Sequence, residues 1–252
     1  TTGQHYETFI RPLIPFAIRG VLWDQGEGGS IGGVDQPTLM AALIPAWRKD
    51  WGQGEFPWIF VQKPSGGGCA LDPKNPVNLG AEPFQPLPET PPASDYYGQK
   101  HQQSYLIARN PNTFMVPTTD LATGVHPPNK SGYGTRDCLV ALGAVYGKPV
   151  EYQGPVYDSL KPEGDKLRIS FTHTGKGLVT PPGRPLQGFL IAGDDKKFRW
   201  ADAKIDGADV VLSNPQVPQP VAARYAWTWP LAWADLFNAD GLPASAFRTD
   251  NW

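Results

Sequence analysis

Apolar positions along this chain change their spacing near residue 147, and the change divides it into two textures. Up to Gly147, short apolar runs alternate with segments that repeat every three or four residues. Ile18 to Trp23, Phe56 to Val61 and Thr113 to Pro117 read as short buried strands. Leu39, Leu43 and Trp47 recur at four-residue spacing behind Pro37, with Arg48 and Lys49 near the end, so the pattern predicts a helix over Pro37 to Trp51. Tyr96 to Ala108 and Lys130 to Tyr146 read as further helices, the second with Leu139, Leu142 and Val145 inward. Pro12 and Pro15 confine Tyr6 to Phe16 to loose helical turns. Strands alternating with helices imply a mainly parallel sheet with helices on its faces. From Lys63 to Pro92 glycine and proline replace any periodicity, and irregular loops of that length are often functional.

After Gly147 the runs are short and strand-like: Val150 to Tyr157, Lys166 to His173, Phe189 to Ile191, Phe198 to Ile205 and Asp209 to Ser213. Turn signals such as Pro162-Glu163-Gly164-Asp165 and Asp206-Gly207 separate them. Lys166 to Phe171 alternates polar and apolar, as a half-buried strand does. The expected architecture is therefore α/β over 1–147 followed by an antiparallel β-sandwich over 148–252.

Composition narrows the partners. The 252 residues are 40% hydrophobic and 18% charged, as in an ordinary folded protein of one large or two modest domains. A net charge of −2 gives no electrostatic case for nucleic acid or an anionic membrane as partner. No apolar run approaches the ~20 residues of a membrane span. Thr1-Thr2-Gly3-Gln4-His5 does not resemble a signal peptide. Two cysteines, Cys69 and Cys138, are too few for a disulfide framework, and are read as two free thiols or one bridge. No His, Cys or carboxylate cluster has metal-ligand spacing, and Gly26 to Gly33 lacks the lysine of a phosphate loop, so neither metal nor cofactor is expected.

Two loops carry the candidate chemistry. The first strand breaks into Trp23-Asp24-Gln25-Gly26-Glu27, placing an amide and a carboxylate at a sheet edge, where α/β folds put their ligand sites. A glutamine amide there could donate to a developing oxyanion, an interaction worth about 3 kcal/mol. Equally, Gln25 and Glu27 could satisfy only the turn's own backbone. About a hundred residues on, Asp120-Leu121-Ala122-Thr123-Gly124-Val125-His126-Pro127-Pro128-Asn129-Lys130 presents a histidine on a proline-stiffened loop before a helix. Such a histidine can act as a general base, although a lone loop histidine is more often solvated. Its pairing with the first loop favours chemistry. His5, His101, on a polar helix face, and His173 read as structural, and Trp227, Trp229 and Trp233 as core aromatics rather than a sugar platform. No nucleophile accompanies the two loops.

At these residues a resemblance becomes specific. Arg19 to Glu27 resembles a segment of bacterial sialate O-acetylesterases and related SGNH-type carbohydrate esterases, as do Trp47 to Gly52 and Phe60-Val61-Gln62 after it. His126-Pro127-Pro128-Asn129-Lys130 is similar to the family's histidine block, and Gly241 to Asp250 to its ending. The resemblance extends over essentially the whole chain. It implies that His126 is the base and Gln25 part of the oxyanion hole, with Trp23 and Asp24 beside the substrate. The family's serine lies in a Gly-Gln-Ser-Asn block that this chain does not contain. Gly3-Gln4-His5 echoes it only superficially, and Ser30 falls in the wrong block. The resemblance therefore implies a partial SGNH-like three-layer domain plus a β-sandwich, with the nucleophile on an upstream segment or a second chain.

Two departures bear on the site. Asp24 replaces the family tyrosine, and Thr123 stands where SGNH hydrolases carry an acid three residues before the histidine. The orienting carboxylate could then be Glu27, which is favoured, or Asp120, or no acid at all. The expected activity is cofactor-free removal of O-acetyl groups from sialic acid or another acetylated carbohydrate, in a secreted or periplasmic protein. The competing expectations are a non-catalytic glycan-binding protein and, more remotely, a hydrolase using Cys138.

Overall fold

Helix α1 (Gln36–Trp51) begins where Asp35 accepts a hydrogen bond from the Thr38 amide at 2.9 Å, with Pro37 in the first turn. It ends at Gly52, whose left-handed backbone (φ 63°) closes the last turn on Arg48. The deeply buried stripe is Met40, Ile44 and Arg48, one residue on from the expected one; Leu39, Leu43 and Trp47 flank it half-buried. Arg48 is the reason. Its guanidinium turns inward to the carbonyls of Phe56 and Asn112 and pairs with Glu55 at 2.6 Å, fastening the helix to the loops that start two strands.

The computed structural model describes residues 3–26, 30–124 and 126–252. Strands β1 (Val21–Trp23), β4 (Trp58–Val61) and β5 (Thr113–Val116) form a parallel sheet in the order β1-β4-β5. A small hairpin, β2 (Ser30–Ile31) with β3 (Val34–Asp35), leads into α1. Every residue of β4 is buried, as a central parallel strand requires. Trp58 and Phe60 pack with α1 and with Ile107 of α2 (Tyr96–Ala108). Ile59 packs the other way, against Val140 of α3 (Lys130–Val140). Helices thus cover both faces. In α3 the buried stripe is Tyr133, Arg136 and Val140, not Leu139 and Leu142, and the expected helix continues as a wider π turn over Ala141–Val145.

The two edges of this sheet differ. On the β5 side, the Gln153 amide donates to the Met115 carbonyl at 2.8 Å. The outer side of β1 pairs with no described strand. Leu22 is 62% exposed there, beside an apolar groove lined by Val21, Ile59, Val145 and Tyr146.

Beyond residue 150 the chain forms antiparallel sheets. One orders β11 (Asp202–Asp206), β12 (Asp209–Ser213), β7 (Lys166–Thr172) and β6 (Val156–Glu163). The other orders β10 (Arg199–Trp200), β9 (Phe189–Ala192), β13 (Ala222–Tyr225) and β15 (Phe247–Arg248). A short pair, β8 (Leu178–Val179) with β14 (Phe237–Asn238), completes the region. Leu167, Ile169, Val210 and Leu212 of the first sheet join Phe189, Ile191, Ala223 and Phe247 of the second in one apolar cluster.

Several strand boundaries differ from expectation. β6 starts later than Val150 and runs through Pro162 and Glu163, because the turn needs only Gly164 and Asp165. The run Phe198 to Ile205 breaks at Ala201 into strands of different sheets. β13 escaped sequence reading because all four residues are buried, which erases the alternation. No helix among the described residues is long and apolar enough to cross a membrane.

Candidate functional site

Because β1, β4 and β5 run parallel, the loops after them leave by the same end of the sheet. Gln25 follows β1 and His126 belongs to the loop after β5, with one strand between them. Strand spacing puts the two outer strands roughly 10 Å apart. Charge closes that gap. Asp24 accepts from Lys63, at the end of β4, at 2.7 Å and from Lys130, four residues past His126, at 3.1 Å. Burial would raise the Asp24 carboxyl, but the two lysines hold it below the usual carboxylate range. Asp24, expected beside the substrate, therefore joins the three loops.

Gln25 is exposed, and its carbonyl oxygen accepts from the Gln36 amide at 3.1 Å. Gln36 is the first residue of α1 and 5% exposed. With its oxygen occupied, Gln25 has its NH₂ left to donate, the polarity an oxyanion requires. Sequence reading missed Gln36; a buried amide at a helix start carries no periodic signature. Trp23 is half-buried, its ring set against Trp47 and Trp58. Glu27 lies outside the described residues.

The loop carrying His126, itself exposed, is fastened from below. Asp120 is 1% exposed and pairs with Arg136 at 2.7 Å, and Asn78 donates to the same carboxylate oxygen at 2.7 Å. Arg136 also donates to the carbonyls of Pro117 and Gly241, so α3, the loop and the C-terminal region meet on one guanidinium. Tyr133 donates to Ala122 at 2.6 Å. Asn129 caps α3 and reaches the carbonyls of Pro76, Val77 and Leu79. The long irregular segment thus supplies the floor of the histidine loop, and Asp120 is part of that floor.

A cleft opens beside Gln25, between α1 and α2, lined by Trp23, Gln36, Lys63, Tyr96, Tyr97 and Lys100 among others. None of the described residues lining it is acidic. His101 departs from expectation: it is fully buried, not on a polar face. Its Nδ1 accepts from the Gln62 amide at 2.9 Å, and burial pushes its pKa down to about 4. It is neutral packing. His173 bonds Glu151 at 3.0 Å. Both cysteines are free; burial pushes the Cys69 thiol up to about 12, and Cys138 lies within α3.

Asp137, on α3, has a carboxyl raised to about 6 by burial and by repulsion from Asp24. An acid raised in the folded state contributes stability that is full at acid pH and lost as pH rises through about 6. Asp137→Asn is expected to flatten the fall of Tm between about pH 4 and pH 6. A variant profile parallel to the parent's through that window contradicts this assignment.

Comparison with known proteins agrees with the motifs. No protein-family model matches the chain. Sialate O-acetylesterase of Mus musculus is 26% identical over 270 residues, covering 96% of this chain and 46% of its own length. The Homo sapiens protein of the same name is 23% identical over 258 residues, covering 96% and 48%. The chain spans about half the length of these relatives. Its fold matches the crystal structure of a carbohydrate acetylesterase from Xanthomonas citri with TM-score 0.74 and 30% identity, over 98% of this chain and 54% of that one. In sequence this chain is similar to sialate O-acetylesterases and in fold to a carbohydrate acetylesterase, in agreement with the resemblance its own motifs carry.

Proposed function

We propose that this chain supplies the imidazole and the oxyanion-binding amide of a serine-type esterase that removes O-acetyl groups from sialic acid or another acetylated carbohydrate. One observation carries the reading: the Gln25 and His126 loops leave the same sheet end, bound together by the Asp24–Lys130 pair. In the proposed reaction a serine Oγ bonds to the acetyl carbonyl carbon while His126 takes its proton. The negative oxygen of the tetrahedral intermediate accepts from Gln25. Collapse breaks the bond to the sugar oxygen, and His126 returns the proton to the leaving alkoxide. Water, deprotonated by His126, then releases acetate and restores the serine. Arg136 and Asn78 both donate to Asp120 Oδ2 and leave Oδ1 without a partner among the described residues. Glu27 is the favoured group to orient His126, because Asp120 lies six residues from it in the chain, and Asp120 is the alternative.

Within the same reading, 1–147 is part of an SGNH-like domain and 148–252 a β-sandwich; two antiparallel sheets sharing one apolar cluster support the latter. The serine comes from polypeptide outside this chain. The edge of β1 that pairs with no described strand, with Leu22 exposed beside an apolar groove, is where a further parallel strand would be accommodated. A secreted or periplasmic setting belongs to the proposal too.

The test is acetate release from O-acetylated N-acetylneuraminic acid and from O-acetylated xylotriose, by this chain joined to the polypeptide that bears the serine. Acetate release blocked by a serine-directed organophosphonate is expected. Sugar binding with no acetate released overturns the hydrolase in favour of a glycan-binding protein.

A further inference from the structure

Of the three tryptophans near residue 230, Trp227 is 3% and Trp233 4% exposed, whereas Trp229 is 46% exposed. Trp229 belongs to the C-terminal region, yet its ring lies against Tyr97, with centroids 4.5 Å apart and planes tilted by 36°. Tyr97 lines the cleft beside Gln25, and Tyr96, next to it, is 63% exposed. Lys100 lies over the Tyr96 ring at 5.4 Å and lines the same cleft. The rim therefore holds three open or half-open aromatic rings beside amide and ammonium donors.

This ledge is held rigidly. Asp95, which precedes α2, pairs with the buried Arg224 of β13 at 2.9 Å. The Gly98 amide donates to the Trp227 carbonyl at 3.0 Å. A Cβ at Gly98 would stand 2.2 Å from the Trp227 ring, so α2 lies as close to the C-terminal region as backbone permits. Below Trp229, a Cβ at Gly67 would stand 2.5 Å from its ring. A large apolar face kept open at a polar cleft rim costs free energy with nothing bound, since apolar area left in water forgoes about 25 cal/mol per Å². A sugar ring matches such a site: its axial C–H face covers an aromatic plane while its hydroxyls meet amides and ammonium groups.

We propose that Trp229, braced by Tyr97, is a carbohydrate subsite, through which the C-terminal region holds the sugar whose acetyl group would sit at Gln25. This rests on the esterase reading only for that acetyl placement; sugar binding itself does not require hydrolysis. The readout is therefore binding first. Xylotriose without acetyl groups, titrated into the chain and followed by tryptophan fluorescence and calorimetry, is expected to bind. Trp229→Ala should weaken it by roughly tenfold, the factor that 1.4 kcal/mol of contact sets. Trp229→Phe should recover much of that loss. Unchanged affinity in a Trp229→Ala protein with parental circular dichroism, or no binding by the parent, overturns the subsite. Sugar binding that Trp229→Ala removes, with no ester hydrolysed by the complete protein, keeps the subsite and rejects the esterase reading. Where hydrolysis occurs, kcat/KM on acetylated xylotriose should fall in Trp229→Ala about tenfold further than on p-nitrophenyl acetate. Equal falls on both esters would mark Trp229 as merely structural.

Discussion

Replacing His126 with alanine is expected to lower kcat on an acetylated sugar by about 10²–10⁴-fold, the range that a positioned general base contributes. The measurement is made on this chain joined to the serine-bearing polypeptide that the proposed function calls for. His126 is exposed on a loop whose anchors are other residues, Asp120, Tyr133 and Asn129. The alanine variant should therefore keep its Tm, and KM should change little, because the proton is moved in the transition state and not in the bound ground state. A kcat equal to the parent's removes His126 from the chemistry. A parallel loss of Tm would instead mark the histidine as a packing residue.

The second large effect is on stability and lies beneath that loop. Arg136 is 3% exposed and Asp120 1% exposed, and they pair at 2.7 Å. Arg136→Met leaves the Asp120 charge buried with only Asn78 to meet it. Breaking a buried pair from one side costs about 3–5 kcal/mol. It also frees the Pro117 and Gly241 carbonyls that Arg136 holds. Urea denaturation should show the midpoint falling accordingly. The double variant Asp120→Asn with Arg136→Met should recover part of the loss, since no unpaired charge remains. A single variant within about 1 kcal/mol of the parent would show that water reaches the carboxylate and that the loop has no buried anchor.

The elements themselves were largely legible. Tyr96–Ala108 has its predicted bounds, and β4 and β5 lie inside their predicted runs, because apolar spacing and proline positions act locally. Faces were less legible. Arg48 reads as a surface cation at a helix end, yet three hydrogen bonds to two carbonyls, of Phe56 and of Asn112 64 residues away, draw it inward. His101 reads as polar surface, yet the end of β4 and the C-terminal region enclose it. Asp24 reads as a substrate contact, and its ion pairs with two lysines 39 and 106 residues away along the chain left no mark in the local sequence.

The sequence alone determined which residues are chemically able to act and which loops carry them: an amide after one apolar run, an imidazole after another, and a motif order shared with a family of esterases. Those are properties of short segments, decided by local backbone preference and residue type. Only the tertiary structure decided which groups are spoken for. Asp120 is bound to Arg136, Gln25 is turned by Gln36, and Trp229, alone of the three tryptophans near residue 230, stays open beside the cleft. The physical reason is that ion pairs, amide orientation and burial are settled between side chains far apart in the chain, and apolar periodicity carries no record of such partners.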